Sequence, residues 1–72
     1  MISSKIMAIR NENQLTQKEF AKRTGISYGT LQAYEYGTQY PRYDYLMKLS
    51  DMFNVSMLFF LDDSNNGFVS DS

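Results

Sequence analysis

One device occurs three times in this chain of 72 residues. An apolar residue is followed by Ser or Thr, and a second apolar residue stands four positions after the hydroxyl. Leu15–Thr16–Phe20, Ile26–Ser27–Leu31 and Val55–Ser56–Phe60 all carry it. The hydroxyl accepts from a first-turn backbone N–H that has no partner inside the helix, and the apolar pair clamps the entering chain. Three helix starts in so short a chain point to an all-α fold. The first is a full capping box, with Glu19 three residues after Thr16. Gly25 suits the left-handed position after a helix, which predicts a helix over 17–23. The next helix, over 28–36, follows almost at once and closes at Gly37.

The remaining elements fit around this pair. Ile2, Ile6 and Ile9 follow i, i+4, i+7 spacing and predict a helix over 3–13. Ser3 or Ser4 can cap its start, and Asn13 or Gln14 takes the left-handed conformation that ends it. Residues 38–42 form a loop in which Pro41 extends the residue before it. Leu46, Leu49 and Phe53 lie at core spacing in a helix over 43–53, ended by Asn54. Arg42 stands where Ser, Thr or Asp usually caps. A short helix over 57–61 is apolar almost all round. Its residues serve as core, or as a dimer contact through Met57, Phe59 and Phe60. The expected architecture is a compact five-helix bundle over residues 1–61. Residues 62–72 are polar and acidic, and are expected to form a disordered tail.

Composition removes several classes of function. With no Cys and no His, disulfides, thiolate chemistry, His-based catalysis and zinc sites are not expected. No nucleophile elbow, phosphate loop or paired catalytic arrangement is visible, so neither an enzyme nor a cofactor or small-molecule substrate is expected. The longest apolar run, Met57 to Leu61, falls far short of the ~20 residues that span a bilayer. Lys5 and Arg10 interrupt any signal-peptide core, so the expected location is cytoplasmic, without a membrane partner. Net charge is −1, but unevenly spread. Residues 1–48 hold all seven Lys and Arg against four acids, and residues 49–72 hold four acids and no base.

The stretch Leu15–Gly37 carries the functional signal. Leu31 and Tyr34 point inward with Ile26 beneath them, while Tyr28, Gly29, Gln32, Ala33 and Tyr36 fall on the other side. Two helices joined by a short Gly-containing turn form a helix-turn-helix, whose second helix enters the DNA major groove. Tyr28, Thr30 and Gln32 offer polar groups to base edges, and Gln pairs bidentately with adenine. Gln17 and Ser27, at two helix N-termini, are placed to meet phosphates. Arg42, Lys5 and Lys18 are further cations within reach. Gly29 in an exposed first turn costs roughly 0.5–1 kcal/mol relative to Ala, and close approach of a partner's backbone is one reason to keep it.

The segments LTQKEFA (15–21), GIS (25–27), TLQAYEYG (30–37), Pro41 and LMKLSDMFNVS (46–56) resemble the phage-repressor family of helix-turn-helix domains, the Cro-like, XRE-type, lambda-repressor-like fold. The resemblance covers residues 5–61. It implies a transcriptional regulator, repressor-like, that binds operator DNA as a homodimer. It also implies that Gln17 contacts phosphate, that Ser27, Tyr28, Gly29, Gln32 and Ala33 face bases or phosphates, and that Arg10 and Glu35 form a structural ion pair. The chain departs from the pattern where many relatives carry Arg or Lys, at Tyr28, Ala33 and Tyr36. No base occurs between Arg23 and Arg42, and all six tyrosines fall between positions 28 and 45. An alternative is therefore a protein-interaction module that keeps the fold and binds DNA weakly or not at all.

Overall fold

In a computed structural model, which describes residues 1–61, the chain forms five helices and no strand among those residues. They are α1 (Ile2–Glu12), α2 (Gln17–Thr24), α3 (Tyr28–Tyr36), α4 (Tyr43–Phe53) and α5 (Met57–Leu61). The expected tail at 62–72 lies outside the described residues. No described helix is long and apolar enough to cross a membrane.

The repeated start signal works locally, as its chemistry requires. Thr16 Oγ1 accepts from the Glu19 amide at 3.1 Å, and Glu19 Oε1 accepts from the Thr16 amide at 2.9 Å. These bonds hold the Glu19 carboxyl below its ordinary range, the Thr16 backbone N–H contributing most. Ser27 accepts from the Thr30 amide at 3.0 Å, and Ser56 from the Leu58 amide at 3.1 Å. Arg42, at the start of α4, makes no side-chain cap bond.

The start of α1 differs from expectation. α1 begins at Ile2 with Met1 as cap, not at Ser3 or Ser4. Ile2 is 6% exposed and belongs to the core, so the helix extends back to place it. Ser3 is then buried inside the first turn, and Ser4 Oγ donates to the Met1 carbonyl at 2.7 Å. At the far end Gln14, one of the two residues expected there, takes the left-handed conformation, with φ 58°. The Asn13 side chain instead donates to the Ile9 carbonyl at 2.8 Å. Asn54 ends α4 with φ 56°. There Ser50 binds Val55 twice: its carbonyl accepts from the Val55 amide at 3.1 Å, and its hydroxyl donates to the Val55 carbonyl.

All five helices feed one core. Ile2, Ile6 and Ile9 come from α1, Phe20 and Ala21 from α2, Leu31 and Tyr34 from α3, Tyr45, Leu46 and Leu49 from α4, and Phe60 from α5. α1 packs on α3 and α5, α2 on α3, and α4 on α5. Phe20 stacks on Phe53 with ring centroids 5.4 Å apart, and Tyr34 lies against Tyr45 at the same separation.

Tyr45 is a core residue, and it ties α4 to the end of α2. Its hydroxyl lies 2.7 Å from Thr24 Oγ1, and Thr24 Oγ1 donates to the Phe20 carbonyl at 2.7 Å. With the threonine proton used there, the phenol must be the donor to Thr24. Burial pushes the Tyr45 phenol up to about 12, from an ordinary 10.0. The unfolded chain therefore releases this proton first as pH rises. The stability Tyr45 contributes is intact below pH 10 and is lost between pH 10 and about 12. Tyr45→Phe should cost about 1 kcal/mol near neutrality. Urea midpoints measured across the alkaline range should then fall less for Tyr45→Phe than for the wild type.

Candidate nucleic-acid interface

The turn between α2 and α3 is fixed from both ends. Gly25 has φ +80°, a left-handed conformation that L side chains rarely adopt. Its amide and that of Ile26 both donate to the Ala21 carbonyl, at 2.9 and 3.0 Å. Lys48 of α4 donates from Nζ to the Thr24 carbonyl at 3.2 Å, adding a cation at the C-terminal end of α2. A Cβ at position 25 would meet Lys48 Nζ at 3.2 Å, so the turn and its support are fitted to a glycine.

α3 is anchored along its inner side. Leu31 is fully buried, Tyr34 is 2% exposed and Glu35 is 5% exposed. Glu35 is the centre of a three-residue cluster. Arg10 donates from Nε to Oε2 at 2.7 Å and from Nη2 to Oε1 at 3.2 Å. Arg10 Nη1 also donates to the Leu15 carbonyl at 3.0 Å. The Gln17 amide donates to Glu35 Oε1 at 2.9 Å. One carboxylate thus joins α1, the start of α2 and α3. In the free protein the Gln17 NH₂ is turned towards Glu35, so a phosphate contact by Gln17 has to use its remaining polar capacity or its backbone.

The outer side of α3 is open. Tyr28 is 41% and Tyr36 68% exposed, Gly29 is exposed, and Gln32 and Ala33 are half-buried. The structure brings these five to one face. Thr30 lies apart from it, half-buried, its Oγ1 accepting from the Ser27 hydroxyl at 2.8 Å. Ser27 both receives the Thr30 amide and donates to the Thr30 hydroxyl. At that helix start, backbone N–H groups are the donors left for an anion. Nothing lies within 4 Å of a Cβ built on Gly29, so no intramolecular packing explains this glycine.

Charge around the face comes from its neighbours. Lys18 of α2 places Nζ 5.5 Å from the centroid of the Tyr28 ring. Arg42 is exposed beyond the other end of α3, its Nε 3.3 Å from Asp44 Oδ1. That hydrogen bond holds the Asp44 carboxyl below its ordinary range. Lys5 of α1 lies against α5, with Nζ 5.7 Å from the centroid of the Phe59 ring.

The α5 cluster divides differently from the sequence expectation. Phe60 is 1% exposed and packs in the core, so it cannot contact a second subunit from the folded domain. Met57 is half-buried against the same core. Phe59 remains at the surface, joined by Leu58 and Leu61 at 70% and 47% exposure. The run itself has no periodicity, and the Val55–Ser56–Phe60 staple is the local signal that singles out Phe60 for packing.

The sequence carries no signal for Thr24 or Lys48, and it marks Lys18 as a cation near the interface without revealing its contact with Tyr28. Each acts on a residue ten or more positions away, a relation that helical periodicity does not encode.

A helix-turn-helix family model matches residues 6–60. The chain is 39% identical over 64 residues to the cryptic phage CTXphi transcriptional repressor RstR of Vibrio cholerae, across 89% of this chain and 58% of that protein. It is 32% identical over 66 residues to the uncharacterized HTH-type transcriptional regulator YqaE of Bacillus subtilis, across 92% and 57%. It is 40% identical over 48 residues to Repressor protein C of Escherichia phage P2, across 67% and 48%. The chain spans about half the length of these curated relatives. No solved structure matches it.

Proposed function

The chain belongs to the helix-turn-helix family, of the phage-repressor (XRE) type, and on that premise we propose that it binds duplex DNA sequence-specifically and represses transcription. α3 enters the major groove with Tyr28, Gly29, Gln32, Ala33 and Tyr36 towards the bases, while Gln17, Ser27 and Arg42 meet the flanking phosphates. The observation that carries this reading is α3 itself, locked along its inner side by Leu31, Tyr34 and Glu35 and free along its outer side. A fixed, unpartnered helix next to a rigid turn is what groove recognition needs.

The protein acts as a cytoplasmic homodimer on a two-fold operator, with half-sites about one helical turn, ~34 Å, apart. The exposed Leu58, Phe59 and Leu61 supply its apolar contact. Dimerisation matters more here than where the recognition helix is basic, because Arg23 and Arg42 bracket a stretch without Lys or Arg. A gel-shift titration at several salt concentrations tests the reading. Affinity for DNA flanking its own gene should exceed that for random DNA and fall steeply with salt, as release of phosphate counterions requires. The tyrosine-rich surface also fits a protein-interaction module, and such a module would show neither the preference nor the slope.

Gly29→Ala separates folding from binding. With open space at the Cβ, alanine should stabilise the isolated domain by about 0.5–1 kcal/mol. The same methyl group stands in the path of DNA and should weaken operator binding. Thermal melts and gel shifts on one preparation should therefore move in opposite directions.

A further inference from the structure

We propose that Lys18 and Tyr28 form one recognition unit that reads the 5-methyl group of a thymine at the outer edge of each half-site, with Lys18 as a positioning residue for the Tyr28 ring. The inference rests on the DNA-binding reading above and adds to it a residue of α2 and a chemical identity for one base.

Three observations lead there. The Lys18 ammonium stands over the Tyr28 ring at 5.5 Å, within the range at which a cation is attracted to an aromatic face. This pair links the second residue of α2 to the first residue of α3, so it joins the N-termini of the two helices of the helix-turn-helix. Tyr28 is 41% exposed and Gly29 beside it carries no side chain, so an approaching base edge meets the ring without obstruction.

The chemistry follows from the two partners. A cation on one face of the ring restricts its swing and leaves the other face and the ring edge for contact. An aromatic carbon surface in the major groove is complementary to the thymine methyl, the apolar feature of the base edges there. Lys18 keeps N–H donors that point away from the ring, and a phosphate bordering that base pair is their natural acceptor. The unit thus joins phosphate neutralisation to methyl recognition in a helix that carries no Lys or Arg of its own.

The test begins with selection of bound DNA from a random pool, which supplies the operator. Wild-type protein is then titrated against that operator and against a copy with uracil in place of the outer thymine. Wild type should lose about fourfold in affinity, the value of one buried methyl. Lys18→Met and Tyr28→Ala should bind the two operators equally, and Lys18→Arg should restore the discrimination. Thermal melts confirm that each variant is folded, and Lys18 and Tyr28 are surface residues whose loss leaves the core intact. Two results overturn the proposal while leaving DNA binding intact. One is a selected motif without an outer thymine preference. The other is a Lys18→Met variant that keeps the thymine–uracil ratio while its salt slope drops by about one, the mark of an independent phosphate contact. A selection that returns no motif removes the DNA-binding reading itself, and the proposal with it.

Discussion

Glu35→Ala is expected to cost about 3–5 kcal/mol and to leave the domain largely unfolded at 37 °C. The Glu35 side chain is 1% exposed and that of Arg10 15%. Removing the carboxylate strands a guanidinium in the interior with only the Leu15 carbonyl as acceptor, and leaves the Gln17 amide without its partner. An uncompensated buried charge is far more costly than the intact pair is stabilising. A chain this short buries only about 60% of its unfolded surface, so it has little stability in reserve. Replacing both members, Arg10→Met with Glu35→Leu, should recover most of the loss, because an apolar pair of similar volume carries no desolvation penalty. Urea unfolding followed by circular dichroism measures all three proteins. A Glu35→Ala variant within about 1 kcal/mol of wild type would show that solvent reaches Arg10 freely and that the cluster does not hold α3.

Gln32→Ala should leave folding intact and weaken operator binding by about 1–3 kcal/mol, at one base position and not throughout the site. Gln32 stands between Tyr28 and Tyr36 on the open side of α3, one turn from each. It is the side chain on that face with both an acceptor and two donors, the pattern that matches adenine N6 and N7. Gel shifts against the operator and its single-base variants should show the preference at one position disappearing in Gln32→Ala. A uniform loss at every position would assign Gln32 to the backbone instead.

What the sequence made legible was local. Thr16 with Glu19, Ser27 with Thr30 and Ser56 with Leu58 lie within one helical turn of each other, so capping chemistry alone placed three helix starts. Gly25, Gly37 and Asn54 placed three ends, through a left-handed conformation that few residues accept. The start of α1 was misjudged because burial of Ile2 outweighed the capping preference of Ser3 and Ser4. The outer face of α3 followed from the 3.6-residue period. The contacts that set its tilt and charge did not, because Gln17 to Glu35, Thr24 to Tyr45 and Lys18 to Tyr28 join different helices. Phe60 is intermediate: the Val55–Ser56–Phe60 staple marks it for packing, while its burial against the core also depends on α1 and α4, which pack on α5.

Selection of protein-bound fragments from a random duplex pool, read by sequencing, tests the central claim most directly. The account predicts enrichment of a palindromic motif whose half-sites lie about one helical turn, ~34 Å, apart. A pool that emerges from low-salt selection no different from its input would contradict α3 as a reader of DNA sequence.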